Sequence, residues 1–371
     1  MIRCLIHLYS PPYLISALAA LATLYPARRV SATVLVQLPG ATDAVLEEIL
    51  GVVRVLAGGH GSVERVVGLT DAKADSGSLK DLLGNAFDDF IYAHDATGTI
   101  CRRLAAAYPK ARRICTGDAF GMFYSTDFID SYRADESFPT ALRRWLGGFF
   151  RAPPIKPDLA VSALPVDPSG EGLSGIDLIC CPKREFQAVV KHCHASATDL
   201  RNYMSRLLGK FEGRKCYVLL TEPHSEAGHL SEVHEEQMYV EIVGRYCEPG
   251  GVVLIKPHPL ESPEKLGRIA DALREKAEVV GVEREFSRYP IEIWEEMVSR
   301  CGIICSAYPV LSLKFLYDID VVQPMNDEMI ARWIDPPSQR WVRDGLRLYM
   351  APLERLPDWD GKGVLWRGGG V

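Results

Sequence analysis

Residues 252–259 have the sequence VVLIKPHP, in which four apolar residues lead into a lysine and a histidine between two prolines. A short apolar run of this kind is typical of a strand that is buried on both faces. The flanking stretches Glu232–Tyr246 and Pro263–Lys276 have helical periodicity. A strand enclosed by two helices in this way predicts a parallel α/β sheet.

The same alternation extends outward in both directions along the chain. The predicted strands are Ile2–Leu8, Ser31–Gln37, Val52–Leu56, Phe90–Ala93, Arg113–Thr116, Gly175–Ile179, Lys215–Leu220, Val252–Ile255, Val279–Val282 and Gly302–Cys305. The further predicted helices are Tyr13–Leu24, Ala41–Leu50, Thr99–Ala107 and Ile291–Ser299. We therefore predict an α/β fold of two Rossmann-like, doubly wound domains that face each other across a cleft, with ligands at the carboxyl ends of the strands.

The pattern also predicts the domain limits. We expect an N-terminal domain over residues 1–210, a C-terminal domain over 211–345 and a tail over 346–371 that packs back on the N-terminal domain. The segment FEGRK (211–215) is the predicted hinge. The proline-rich region 125–175 is predicted to be a loop-rich insertion or lid.

Composition excludes several classes of protein. The 371 residues are 47% hydrophobic and carry a net charge of −6, which is ordinary for a globular protein and argues against a nucleic-acid partner. The ten cysteines are scattered, and several lie in strand-like runs, so we expect reduced thiols in a cytosolic protein. No stretch of 18 uninterrupted apolar residues is present, so no membrane-spanning helix is expected.

Two candidate anion-binding side chains follow predicted strands of the second domain. His258 follows Lys256 between Pro257 and Pro259, which restrict the backbone so that the imidazole can donate to a phosphate. Ser306 follows the strand in GIICSAYP and is predicted to be the N-cap of the next helix, an anion-binding position. The alternatives are a histidine that caps a turn and an N-cap without a ligand.

Two carboxylates complete the set of candidate residues. Asp118, in ICTGDAFG, follows a strand of the first domain and is placed to act as a general base for an acceptor hydroxyl. Glu292 falls in the first turn of a helix that Pro290 opens, where it could accept from two ribose hydroxyls. The alternatives are an aspartate that caps a turn and a glutamate that interacts with the helix dipole.

Other polar groups carry less weight. His192-Cys193-His194 matches no standard zinc spacing, so we predict no metal site. Tyr92, His94 and Asp95 follow another strand and are given a minor acceptor-side or structural role.

Together these motifs resemble bacterial sialyltransferases of the GT-B fold, especially the α-2,8-polysialyltransferase-like and lipooligosaccharide sialyltransferase families. The counterparts of the acidic, HP and serine motifs are Gly117-Asp118-Ala119, His258-Pro259 and Ser306. SPPYLISAL, LLTEPHSEAGHLSEVHEEQMYVEIV and YPIEIW are also similar to segments of these families. Ala119 departs from the acidic residue or glycine that is usual there, which leaves the choice of acceptor open.

The resemblance implies an inverting, metal-independent transfer of a nonulosonic acid from its CMP donor to a glycan hydroxyl, with no cofactor. Asp118 would take the acceptor proton, His258 and Ser306 would hold the departing phosphate, and Glu292 would bind the ribose. Further implied donor contacts are Lys256, Pro259, Pro290, Ile291 and Ala307. The implied acceptor-side or cleft residues are Gly117, Ala119, Ser10 and Pro11. The partners would be the CMP-sugar and the glycan acceptor.

Two alternatives remain at this point: a transferase that makes polymers from CDP-glycerol, and a catalytically silent nucleotide-binding subunit on the same scaffold. We expect a cytoplasmic protein. The segment Ala141–Arg151 (ALRRWLGGFFR) is the best candidate for peripheral contact with the inner membrane, although a buried helix with polar edges fits it equally well.

Overall fold

The computed structural model describes residues 1–38, 42–70, 76–93, 99–117, 155–164, 176–258, 261–353 and 365–366. Contacts between residues divide the chain into two compact units. The described residues up to Ala197, together with 365–366, belong to the first unit, and the second unit begins at Thr198. The division therefore falls about one helix before the predicted boundary at residue 210.

The first unit contains an eight-stranded sheet. One pair of neighbouring strands, which includes the strand nearest the C-terminus, is antiparallel, and all other pairs are parallel. Its strands are β1 (Ile2–Leu8), β2 (Val30–Gln37), β3 (Val63–Leu69), β4 (Asp89–Ala93), β5 (Arg112–Gly117), β6 (Leu159–Ser162), β7 (Leu178–Cys180) and β12 (Leu365–Trp366). Their order in the sheet is β12-β7-β6-β5-β4-β1-β2-β3. The order reverses between β1 and β4, as in a doubly wound sheet.

Helices cover the faces of this sheet. In the described residues they are α1 (Pro11–Leu24), α2 (Asp43–Ala57), α3 (Ser76–Leu83), α4 (Thr99–Ala107) and α5 (Lys183–Ser196). Helix α1 is apolar on nearly every face because it packs on the sheet and against both α2 and α5. Strand β1 is buried over most of its length, as expected for a parallel strand with helices on both sides.

The predicted strand Val52–Leu56 is wrong, because these residues are the last turns of α2. The apolar positions of the helix run from Leu46 to Ala57 at helical spacing, and Arg54 lies on its exposed face. A five-residue apolar run does not by itself distinguish the two structures. The strand at this point in the chain is β3, which the sequence analysis missed because it is a half-exposed edge strand with two charged residues.

A second difference concerns the predicted insertion at 125–175. Strand β6 lies within it and pairs in parallel with both β5 and β7. Its four residues, LAVS, are buried, but a run this short between prolines gives a weak signal for a strand.

The second unit contains a four-stranded parallel sheet with the order β10-β9-β8-β11. These strands are β8 (Cys216–Leu220), β9 (Val252–Lys256), β10 (Glu278–Gly281) and β11 (Gly302–Ile304). The described helices are α6 (Thr198–Lys210), α7 (Glu232–Tyr246), α8 (Pro263–Leu273), α9 (Arg284–Ser287), α10 (Glu295–Val298), α11 (Pro309–Tyr317), α12 (Asp327–Trp333) and α13 (Pro336–Leu353), with a 3₁₀ turn at Ile291–Ile293.

The core of the second unit packs helices α7, α8, α12 and α13 on one side of this sheet. Both units are therefore parallel or mostly parallel sheets covered by helices, which confirms the predicted α/β class. Among the described helices, none is both long and apolar enough to cross a bilayer.

Candidate functional site

The strand order of the second unit gathers several predicted residues at one edge of its sheet. Strands β8, β9 and β10 follow one another to one side, whereas β11 lies on the other side of β8. The carboxyl ends of β8 and β11 therefore border the point where the order reverses, which is where doubly wound sheets bind ligands. Lys256 is the last residue of the neighbouring strand β9, His258 follows two residues later, and Ser306 follows β11.

The loop of His258 is held closely by Glu261. The backbone N–H of His258 donates to Glu261 Oε2 at 2.6 Å, and the backbone N–H of Glu261 donates to the His258 carbonyl oxygen at 3.0 Å. Burial, followed by the positive charges of Lys256 and Lys265, lowers the pKa of His258 to about 4. At neutral pH the side chain is thus a neutral imidazole with one N–H to donate. Pro259 lies outside the described residues.

The ammonium group of Lys256 contacts other groups of the protein. Its Nζ donates to the Ser287 carbonyl oxygen at 2.9 Å and lies 5.7 Å from the centre of the Trp294 ring. Burial lowers its pKa to about 8, against the opposing influence of Glu292. These contacts attach the segment 287–294 to the end of β9, so Lys256 positions the segment that contains Glu292.

Glu292 does not lie in the first turn of a long helix. Pro290 instead precedes a single 3₁₀ turn over Ile291–Ile293, and the short helix α10 follows it. The Glu292 carboxylate is buried and accepts from Ser312 Oγ at 2.6 Å. Tyr317 donates to the Glu292 carbonyl oxygen at 2.5 Å. Helix α11 therefore holds Glu292 at both its side chain and its backbone.

Ser306 is not the helix N-cap that the sequence predicts. Strand β11 ends at Ile304, Ser306 and Ala307 form a half-buried bend, and Tyr308 caps α11 without a side-chain hydrogen bond. The backbone N–H of Ala307 donates a hydrogen bond to Cys305 Sγ at 3.3 Å. The proline at 309 fixes the helix start two residues later than expected, because proline fits the first helical turn.

Glu222 is a further candidate site residue, which the sequence patterns did not indicate. This half-buried carboxyl lies two residues beyond the end of β8, at the point where the strand order reverses. Burial and the neighbouring charge of Glu261 raise its pKa to about 8. A carboxyl group that retains its proton near neutral pH can donate a hydrogen bond, and strongly shifted carboxyls concentrate at functional sites. An acidic residue two positions after a buried strand is the signal that could have found it.

A buried lysine joins the loops that follow β8 and β9. Lys265 Nζ lies 2.8 Å from carboxylate oxygens of Glu226 and Glu235, 2.7 Å from Glu261, and 3.0 Å from the Glu222 carbonyl oxygen. Burial opposes its charge, but hydrogen bonds to the three carboxylates outweigh burial and raise its pKa.

The carboxylates of this cluster hold the loops in turn. Glu261 accepts from Thr221 Oγ1 as well as from the His258 backbone. Ser225 Oγ donates to Glu235 at 2.5 Å. The Lys265 cluster (Glu226, Glu235, Glu261 and Lys265) therefore fixes both loops at the carboxyl ends of the strands.

The titration of Glu222 predicts a pH dependence of folding. Between pH 4.5 and about 8 the folded chain retains a proton that the unfolded chain has lost, so Glu222 makes stability fall as pH rises in this window. The substitution Glu222→Gln removes the titrating carboxyl group and, with it, this fall in stability. We expect the variant to gain stability relative to the parent between pH 5 and 8, by at most about 1.4 kcal/mol per pH unit. Urea denaturation across this range measures the difference.

Glu226→Gln is the matched control with the opposite sign. Although burial raises the pKa of Glu226, the hydrogen bond from Lys265 lowers it overall, so its carboxylate stabilises the fold above pH 4.5. The deficit of this variant relative to the parent should grow as pH rises to about 4.5 and then stay constant. A Glu222→Gln curve parallel to that of the parent would contradict the assignment of the raised pKa.

In the first unit, three predicted positions lie at the carboxyl ends of the strands. Ser10 follows β1 and is the N-cap of α1, with no side-chain capping bond, and Pro11 is the first helical residue. Gly117 ends β5, paired with Ser162 of β6. Strand β4 separates β1 from β5 in the sheet.

Several predicted positions cannot be placed. Asp118, Ala119, His94 and Asp95 lie outside the described residues, as does the segment Ala141–Arg151. Tyr92 is buried at the end of β4, where burial raises the pKa of its hydroxyl. That Asp118 lies close to His258 and Ser306 remains a prediction from the sequence.

Comparison with known proteins gives matches only among solved structures. No protein-family model matches the chain, and no curated protein matches it. A UDP-GlcNAc 2-epimerase from Neisseria meningitidis, bound to UDP-GlcNAc, is similar at 11% identity and a TM-score of 0.48, over 97% of this chain and 96% of that one.

Two other similar structures are transferases. The GT-B domain of a sialyltransferase from Photobacterium damselae is 9% identical with a TM-score of 0.46, over 94% of this chain and 97% of that one. The E. coli heptosyltransferase WaaC with ADP is 14% identical with a TM-score of 0.38, over 82% and 80%. Because these TM-scores are below 0.5, the likenesses identify neither a reaction nor a ligand for this chain.

Proposed function

We propose that this chain is an inverting, metal-independent glycosyltransferase that moves a nonulosonic acid from a CMP donor to a glycan hydroxyl. The observation that carries the proposal is the position of His258, whose backbone Glu261 holds beyond the carboxyl end of β9, on the same side of the sheet as the Ser306 bend. Its lowered pKa keeps the imidazole neutral. This edge of a doubly wound sheet is the usual place for a nucleotide. The motifs that resemble sialyltransferases supply the choice of CMP.

The proposed reaction breaks the bond between the sugar's anomeric carbon and the phosphate oxygen of CMP. Negative charge grows on that oxygen as the bond breaks, and donors held in place beforehand stabilise it without reorganisation. His258 would donate its N–H and Ser306 its hydroxyl. Asp118 would take the proton of the acceptor hydroxyl as its oxygen bonds to the anomeric carbon from the opposite face.

The surrounding contacts support the roles proposed for the remaining residues. Glu292 would bind the ribose hydroxyls, with Ser312 occupying one of its oxygens and fixing the carboxylate's orientation. Lys256 would act indirectly, since it holds the segment 287–294 in place. Ser10, Pro11 and Gly117 would lie on the acceptor side, at the carboxyl edge of the first sheet.

The donor is tested by ligand binding to the full chain. CMP should raise the thermal unfolding temperature, since a ligand at one hundred times its Kd stabilises a folded protein by about 2.7 kcal/mol. UDP and ADP at equal concentration should have a smaller effect. CMP-Neu5Ac should be cleaved with release of CMP, measured by anion-exchange chromatography, with or without an added glycan.

Three outcomes would overturn the proposal. Absence of both a CMP-induced shift and CMP release would remove the CMP site. Release of CMP from CDP-glycerol in preference to CMP-Neu5Ac would assign the chain to the polymer-forming transferases. Tight CMP binding with no turnover of CMP-linked sialic, legionaminic, pseudaminic or Kdo-type donors would indicate a silent nucleotide-binding subunit.

A further inference from the structure

Two cysteines lie side by side at the amino ends of β8 and β11, at the end of the second sheet away from His258. Gly302 of β11 pairs with Tyr217 of β8, so the preceding residues, Cys301 and Cys216, are neighbours across the two parallel strands. Their sulfur atoms are within hydrogen-bonding reach of each other. Adjacent positions on paired strands are within the Cα separation that a disulfide requires.

These two cysteines also line a cavity of about 450 Å³. Helix α6, the turn at 211–214 and the residues around α10 form its other walls. Arg214, Arg300, Glu212 and Glu296 bring charges of both signs to its lining. A cavity of this volume admits a small organic molecule. Other buried cysteines, such as Cys115 and Cys193, are enclosed within the first unit.

We propose that Cys216 and Cys301 form a dithiol site that a small peptide disulfide of the glutathione type oxidises reversibly to an intrachain disulfide. The Cys216 thiolate attacks one sulfur of the oxidant and releases the first small thiol. Cys301 then attacks the Cys216 sulfur of the mixed disulfide and releases the second. Two protein thiols are oxidised to one disulfide, and one oxidant disulfide is reduced to two thiols.

The chemistry of the pair supports the order of attack. A hydrogen bond from Cys301 stabilises the thiolate of Cys216 and lowers its pKa, against the influence of burial. Burial raises the pKa of the half-buried Cys247 to about 11. Cys216 therefore has the larger thiolate fraction of the two. Nucleophilicity falls as pKa falls, so the advantage of Cys216 in rate is smaller than its advantage in thiolate fraction.

The test uses the intact chain, incubated with glutathione disulfide under native conditions, alkylated in acid and digested with trypsin. Mass spectrometry should find the peptide Cys216–Arg245 joined to Cys301–Lys314, and fragmentation should assign the bond to Cys301 rather than Cys305. The linked peptide should form faster than the mixed disulfide at Cys247. Dithiothreitol should reverse it.

Serine variants supply the controls. Cys216→Ser and Cys301→Ser should each abolish the linked peptide, while Cys247→Ser should leave it unchanged. Modification of Cys247 without a linked peptide would overturn the proposal. A link that forms only in denaturant would also overturn it, since the pairing would then not belong to the native fold. The site lies at the other end of β8 and β11 from His258, so this test is independent of the proposed transferase activity.

Discussion

His258→Ala is expected to lower CMP-sugar turnover by about 10²-fold to 10³-fold, the usual cost of removing one preorganised donor to a developing oxyanion. CMP affinity should fall as well, because in the proposed site the same N–H would contact the phosphate in the ground state. If His258 is the proposed donor, its pKa near 4 means that the neutral imidazole donates, so the loss should be equal at pH 6 and pH 8. Steady-state release of CMP and calorimetric CMP binding measure the two effects.

His258→Gln and His234→Ala provide the controls for this loss. Glutamine retains a neutral N–H donor and should recover part of the turnover. His234 is an exposed histidine on α7, and its replacement should leave turnover unchanged. A loss at His258→Ala that is confined to pH values below 6 would contradict a neutral donor, and full activity would remove His258 from the mechanism.

Asp118→Ala gives a contrasting result if the proposed roles are right. A general base for the acceptor does not contact the CMP moiety, so transfer should be lost while CMP binding is retained. Full transfer activity in this variant would show that another residue takes the acceptor proton.

Lys265→Met is expected to destabilise the second unit by about 3–5 kcal/mol at neutral pH, the usual cost of removing one partner from a buried charge cluster. The variant leaves the carboxylates of Glu226, Glu235 and Glu261 without their common cation. The loss should shrink as pH falls towards 5, because acid protonates the abandoned carboxylates. Urea denaturation followed by near-UV circular dichroism measures it.

Arg268→Met is the matched control on the same helix. Arg268 also pairs with two glutamates, Glu232 and Glu236, but its side chain is 39% exposed. Exposed ion pairs contribute little to stability, so this variant should remain close to the parent. Equal losses at the two positions would contradict the argument that burial makes the Lys265 cluster costly to break.

The sequence could predict strands and helices wherever buried residues recur at regular, short spacing along the chain. KCYVLL and VVLIK are continuous apolar runs because helices cover both faces of their sheet, and Glu232–Tyr246 has one sustained helical period. These local patterns were sufficient for the α/β class and placed Lys256, His258 and Ser306 at or just beyond strand ends. They were insufficient at Val52–Leu56, where a short apolar run fits a helix and a strand equally well.

Tertiary structure alone decided which of these strand ends are neighbours. Glu222 and Lys265 are far apart in sequence, yet the order β10-β9-β8-β11 brings their loops together around one buried ammonium group. The same order places Cys216 beside Cys301. The periodicity of a sequence indicates which face of a helix or strand is buried. The order of strands in a sheet depends instead on packing between distant segments. No local sequence pattern therefore predicts the shifted pKa of Glu222 or the pairing of the two thiols.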